Sequence, residues 1–314
     1  MESKGAGMKE HGVRSTFSQA PFEIEMHDNA GLISTGTAFN YFFEGKRYMI
    51  TNYHNISGID IFTKKNIDDT NKRIPLWIKL KTFKYFDKFH YSIMPHRMEI
   101  YEDTNGPFGP LWFEHPDLHS GCDVIAIENP VLDNEPEFMH NSVNLITKIK
   151  IPVVPGHAAF VVGFPHGISI GFGLPVWKSA YIASEPAFDI VLKRKTKNPD
   201  VCIDYRIPAF FIDGQTRPGM SGSPVFATYY GIWNSEAPYE AVDMNDPNFW
   251  TRSDIVMHHL GMEFAGIYSG RLFKREEDAA LGLCWRRNII EHICKAKTRG
   301  TEPYRITDPY SSWF

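Results

Sequence analysis

Short alternations of apolar and polar residues, cut by glycine, proline and asparagine, run along most of the chain. Phe22-Glu23-Ile24-Glu25-Met26 alternates strictly, the period of a strand with one face in a core. Asp28-Asn29-Ala30-Gly31 then predicts a turn, and a hairpin follows: residues 37–43 as one strand, Glu44-Gly45-Lys46 as the turn, 47–51 as the return. Residues 76–83 and 97–101 alternate again, and Asn105-Gly106-Pro107 and Gly109-Pro110 break the pattern. Asp123 opens a further alternating strand that runs to Ile127. Residues 133–150 read as a connector. A second series of strand-like segments follows at 159–164, 182–184, 188–192, 201–211 and 224–226.

One segment departs from this period. Between 276 and 297, Leu281, Cys284, Trp285, Ile289 and Ile293 fall at steps of three and four, with Glu276, Glu277 and Asp278 at the start and Lys295 and Lys297 at the end. That pattern predicts an amphipathic helix whose end charges suit its dipole. Residues 1–20 are polar and aperiodic and read as a loose tail. Residues 301–314 are too short for a domain of their own. Many short strands with frequent turns, then one helix, predict an all-β chain.

Composition narrows the function. Of 314 residues, 43% are hydrophobic and 22% charged, with a net charge of −4, so a large core is available and no basic nucleic-acid footprint exists. No apolar run approaches the roughly 18 residues of a membrane span. The first residues carry no apolar stretch of a secretory signal, so a cytoplasmic location is expected. Cys122, Cys202, Cys284 and Cys294 are then expected as free thiols. His115, His119 and Cys122 have spacings a metal could use but no fourth ligand nearby, and neither a metal nor another cofactor is expected.

The densest chemistry lies in Gly219-Met220-Ser221-Gly222-Ser223-Pro224-Val225-Phe226. A serine between two glycines, followed by a strand, can sit beside two backbone N–H groups aimed at one point, the arrangement that stabilises a tetrahedral oxyanion. A serine nucleophile needs a base, and the base an orienting acid. His54, in Thr51-Asn52-Tyr53-His54-Asn55, is placed in a loop just after a strand. Asp123 is the acid, preferred over Asp117 because it opens an apolar strand. The order His, Asp, Ser and the Ser223 that replaces the second glycine of a G-x-S-x-G elbow both disfavour an α/β-hydrolase.

With these motifs the chain resembles the trypsin-like serine peptidases of the chymotrypsin fold, most of all the bacterial trypsin-like peptidase domains. Thr35-Gly36-Thr37-Ala38-Phe39, Tyr48-Met49-Ile50-Thr51-Asn52-Tyr53-His54, Asp123-Val124-Ile125-Ala126-Ile127, Phe160-Val161-Val162-Gly163-Phe164-Pro165-His166-Gly167 and 218–226 carry the likeness in the family's order, with Phe264-Ala265-Gly266-Ile267-Tyr268-Ser269-Gly270 as a weaker sixth. The resemblance implies two antiparallel six-stranded β-barrels, at about 21–135 and 150–273, and a C-terminal α-helix at about 276–297, within a peptidase domain of 21–300.

It also implies His54, Asp123 and Ser221 as the triad and the N–H groups of Gly219 and Ser221 as the oxyanion hole. Gln215 would lie at the base of the primary specificity pocket, and Tyr268, Ser269 and Gly270 would line the cleft and pair with a peptide. Gln215 is not an acid, so a strong Lys/Arg preference is not implied. Met220 stands where the digestive enzymes carry the acid that pairs with a newly cut N-terminus, so activation of that kind is not expected. Residues 228–262 replace a short turn with a long insertion, suited to cover the cleft or dock a regulatory partner. The expected activity is endopeptidase hydrolysis of proteins or peptides, triggered by a partner or a stress or defence signal. The rival is a catalytically silent version of the fold that binds peptides or proteins.

Overall fold

The computed structural model describes residues 15–68, 70–85, 91–103, 106–117, 121–129, 142–147, 149–171, 173–195, 202–271, 281–303 and 312–313. The first half is one antiparallel sheet built from β1 (Pro21–Asp28), β2 (Gly31–Phe43), β3 (Lys46–Thr51), β4 (Trp77–Tyr85), β5 (Tyr91–Glu99), β6 (Phe113–Glu114) and β7 (Ile125–Glu128). The second half holds β8 (Ala158–Gly163), β9 (Val176–Ile182), β10 (Ile190–Lys195), β11 (Cys202–Ile207), β12 (Ala209–Asp213), β13 (Pro224–Asn234), β14 (Ile255–Arg271) and β15 (Leu281–Arg286). Two short strands follow, β16 (Thr298–Arg299) and β17 (Ser312–Trp313). The described residues also hold three α-helices, α1 (Tyr53–Ser57), α2 (Val143–Ile146) and α3 (Asn288–Ala296), and three short 3₁₀ turns.

The fold is all-β, as the alternating segments predict. The second half closes into a six-stranded barrel in the order β12-β15-β14-β13-β8-β9. The first half differs from the expected six-stranded barrel: its ladder holds eight strands, β16-β6-β7-β3-β2-β1-β4-β5, and does not close among the described residues. The extra strand β16 comes from beyond the helix and pairs with β6 through Thr298 and Glu114.

The long helix expected over 276–297 is corrected. Leu281–Arg286 is the strand that closes the barrel between β12 and β14, and only Asn288–Ala296 is helical; 276–280 lie outside the described residues. The strand is buried on both faces, with Leu283 and Trp285 in one core and Cys284 in another. A doubly buried strand reads as a continuous apolar run, which mimics a helical stripe. The tails are corrected too. Thr16–Gln19 form a 3₁₀ turn, with Phe17 edge-on to Phe226 and the Trp177 indole donating to Ser18 Oγ at 2.9 Å. Ser312–Trp313 add to β10. Most of the 133–150 connector lies outside the described residues. The 228–262 insertion is a ribbon: β13 and β14 stay paired from Pro224↔Ile267 out to Asn234↔Ile255 before the loop begins.

One core cluster spans both halves, joining Phe39, Tyr48 and Val124 to Phe226, Trp285 and Ile289. No helix among the described residues is long and apolar enough to cross a membrane. Cys122, Cys284 and Cys294 are free and buried. Burial pushes the Cys294 thiol up to about 12. Among the described residues no three metal-ligating side chains cluster, and His115 instead faces His292 on α3, with 3.2 Å between ring nitrogens.

The outer face of β1 carries an ion network. Lys81 Nζ lies 2.8 Å from Glu23 Oε2 and 2.7 Å from Glu25 Oε1, and His27 Nε2 lies 3.2 Å from Glu25 Oε2. Burial raises the Glu25 carboxyl, but the Lys81 and His27 hydrogen bonds outweigh it and hold the group at about 2, against 4.5 for a free glutamate. A depressed acid stabilises the fold above its unfolded value, and that stability is lost as pH falls through the folded value. Glu25→Gln is therefore expected to lower stability at neutral pH and to flatten its loss between pH 4.5 and 2, read by urea denaturation at each pH.

Candidate active site

The site is built around α1, a single helical turn. It starts directly after β3, so His54 is helical rather than in a loop. It stops at Gly58, whose φ of +69° closes the turn as its N–H bonds the His54 carbonyl at 3.0 Å. A Cβ at Gly58 would come within 3.0 Å of Pro75, so the stop needs glycine.

From this turn, hydrogen bonds run to both other segments. Asn52 Nδ2 donates to the Asp123 carbonyl at 2.7 Å, and the Tyr53 N–H donates to the same oxygen at 3.3 Å. The His54 N–H donates to Asp123 Oδ1 at 3.0 Å, and His54 Nδ1 lies 2.7 Å from Asp123 Oδ2. Ser269 Oγ donates to that same Oδ2. Asp123 is 2% exposed and lies in the loop two residues before β7. Because a carboxylate only accepts, this pairing puts the imidazole proton on Nδ1 and leaves Nε2 as the basic nitrogen. Burial, with the charges of Glu114 and Asp123, raises the Tyr53 phenol and keeps it neutral, its ring edge-on to Trp112.

On the other side Asn55 Nδ2 donates to the Ser221 carbonyl at 3.0 Å and to Thr51 Oγ1 at 3.0 Å. The Thr37 N–H donates to the same Ser221 carbonyl at 3.0 Å. The structure thus brings His54 and Asp123 into direct contact and ties the Ser221 backbone to the residue next to His54.

The serine turn has positive φ on both sides, +90° at Gly219 and +87° at Gly222. A Cβ at Gly219 would lie 2.4 Å from the Phe164 carbonyl. The Phe164–Gly167 turn braces it, with the His166 N–H bonding the Pro218 carbonyl at 2.7 Å, while Thr37 Oγ1 donates to the Gly219 carbonyl at 2.9 Å. The N–H groups of Met220, Gly222 and Ser223 bond the carbonyls of Arg217, Tyr268 and Met220. Among the described residues those of Gly219 and Ser221 meet no backbone acceptor.

The specificity residues differ from expectation in part. Gln215 is exposed, while the next residue, Thr216, is buried and its hydroxyl meets that of Tyr268. Tyr268 is a core aromatic, 2% exposed, with Met220 in the same cluster. Its N–H and C=O are used by Ser223 and Gly222. A Cβ at Gly282 would come within 2.7 Å of its ring. Beyond it the Ser269–Arg271 edge facing away from β15 has no strand partner among the described residues. Asn55, Thr37 and Thr216 were not singled out by sequence.

No family model and no curated protein matches the sequence. Among solved structures, the active form of Rv3671c protease from M. tuberculosis superposes with a TM-score of 0.45 at 14% identity, over 100% of this chain and 94% of that one. The serine endoprotease from Yersinia pestis gives 0.39 at 12% identity, over 90% and 67%. The HtrA-type protease AlgW with tripeptide gives 0.40 at 12% identity, over 90% and 63%. All three are proteases, but likenesses this distant carry no weight for the chemistry of this chain.

Proposed function

We propose that the chain is a serine endopeptidase that cleaves peptide bonds through an acyl-enzyme. Ser221 Oγ attacks the carbonyl carbon, and His54 Nε2 takes its proton and returns it to the leaving amine. Asp123 orients the ring and stabilises the imidazolium. The N–H groups of Gly219 and Ser221 hold the oxyanion. A water activated by the same histidine then releases the acid. The observation that carries this reading is the 2.7 Å His54–Asp123 pair, set on a turn whose next side chain grips the Ser221 carbonyl. The free edge at Ser269–Arg271 favours an extended peptide as substrate.

The test is labelling with a fluorophosphonate, which reports an activated serine without knowledge of the substrate. The wild-type chain is expected to label, Ser221→Ala to abolish labelling, and His54→Ala to slow it by orders of magnitude. A folded wild-type chain that does not label would refute a competent site and favour the peptide-binding alternative.

A further inference from the structure

The hairpin β10–β11 does not belong to the barrel. It rises between β9 and β12 and forms a small sheet of its own with β17. Its root is fixed to the barrel: Asp189, just before β10, pairs with Arg286 of β15, and the Arg286 N–H bonds the Pro208 carbonyl at 3.1 Å. Its inner face points back across the molecule. Leu192 and Tyr205 are cross-strand partners. Leu192 and Ile207 share a core cluster with Cys122 and Val124, the residues on either side of Asp123, and Tyr205 packs against that cluster.

The closest approach is at Gly121. A Cβ built there would lie 1.7 Å from Tyr205 Oη, 2.4 Å from Cζ and 2.8 Å from Cε1. The tyrosine thus occupies the space that a side chain at position 121 would need, two residues before the acid that bonds both the backbone and the ring of His54. Cys122 between them is fully enclosed and cannot absorb a shift.

We infer that Tyr205 is a positioning residue for Asp123, and that through it the β10–β11 hairpin sets the geometry of the base. This rests on the reading of His54, Asp123 and Ser221 given above. Reactivity is steep in such geometry, with a misplacement of about 1 Å costing on the order of 100-fold in rate. A hairpin rooted in one half and pressed on the acid loop of the other would convey any tilt directly to the His54–Asp123 bond.

The test is a double-mutant cycle on the full chain: wild type, Gly121→Ala, Tyr205→Leu and the two together. Leucine lacks the hydroxyl oxygen and the two ring carbons nearest position 121, so it makes room for the alanine methyl. Two readouts are taken, the fluorophosphonate labelling rate against pH and the NMR signal of the His54 Nδ1 proton. Gly121→Ala is expected to label about tenfold more slowly, with a displaced acid limb and a shifted proton signal, and the double variant to return to within about threefold of wild type.

Wild-type rate and signal in Gly121→Ala, or additive losses in the double variant, would overturn the inference and leave the proposed activity standing. A wild-type chain that fails to label, but whose His54 signal moves and recovers across the cycle, would refute the activity and support the positioning role. If Gly121→Ala does not fold, Tyr205→Leu is read against Tyr205→Phe, which keeps the ring. The leucine variant is then expected to be about threefold slower with a shifted signal, and equality of the two overturns the inference.

Discussion

Asp123→Asn is expected to leave a folded chain that labels about 10³–10⁴-fold more slowly than wild type. The reason is the directionality of the two oxygens. Oδ1 accepts the His54 N–H and Oδ2 accepts from Nδ1 and from Ser269. Asparagine has one oxygen and one amide nitrogen. If its oxygen keeps the backbone bond, the NH₂ faces the ring and forces Nδ1 to accept. The imidazole proton then sits on Nε2, which can no longer take one from Ser221. Size, burial and the backbone bonds from Asn52 and Tyr53 to the residue-123 carbonyl stay the same, so melting should change little. Labelling rates of Asp123→Asn, His54→Ala and the double variant check the idea. Because the two act as one unit, the double variant should be no slower than His54→Ala alone. Strictly additive losses would refute the pairing as a working one.

Gly222→Ala should be the most destabilising single methyl near the site. At φ +87° an L-residue is already strained, and its Cβ would lie 2.0 Å from the Thr37 carbonyl oxygen and 2.5 Å from Thr51 Oγ1. Neither can retreat. Thr37 and Thr51 are fully buried, and Thr51 Oγ1 donates to that carbonyl at 2.8 Å while accepting from Asn55. Relief would pull Ser221 away from Asn55, so stability and reactivity should fall together. A loss of about 3 kcal/mol or more is expected in urea denaturation, with labelling abolished. Gly45→Ala is the comparison: its φ is +80°, but nothing lies within 4 Å of the added carbon. Backbone strain alone should cost about 1 kcal/mol there, with labelling intact. Equal losses at the two positions would mean that conformation, not contact, governs Gly222.

β1 was legible in the sequence because apolar and polar residues alternate along Phe22-Glu23-Ile24-Glu25-Met26, with Phe22, Ile24 and Met26 in one core cluster. Leu281–Arg286 was not, because both of its faces are buried and its apolar run has no period to read. His54, Asp123 and Ser221 could be proposed from residue type and order, and the structure pairs His54 with Asp123. Asn55 could not, since its role depends on a neighbour 166 positions away. Gln215 was placed by counting back from the serine, yet the turn exposes it and buries Thr216 instead. Tyr205 carries no local signal, for its meaning lies in the missing side chain of Gly121.

The barrel closes in the order β12-β15-β14-β13-β8-β9, so the strand carrying the nucleophile loop forward and the strand that seals the cylinder are made at different times. From Ser221 to Arg286 is 286 − 221 = 65 residues. At roughly 5–20 residues per second a ribosome needs about 3–13 s to supply them. Through that interval the nascent chain already holds Ser221, His54 and Asp123, but Ser269, whose hydroxyl donates to the Asp123 carboxylate, follows 269 − 221 = 48 residues later and the closing strand β15 comes last of all. On the proposed function, the order of synthesis keeps the growing polypeptide inactive until its last barrel strand arrives.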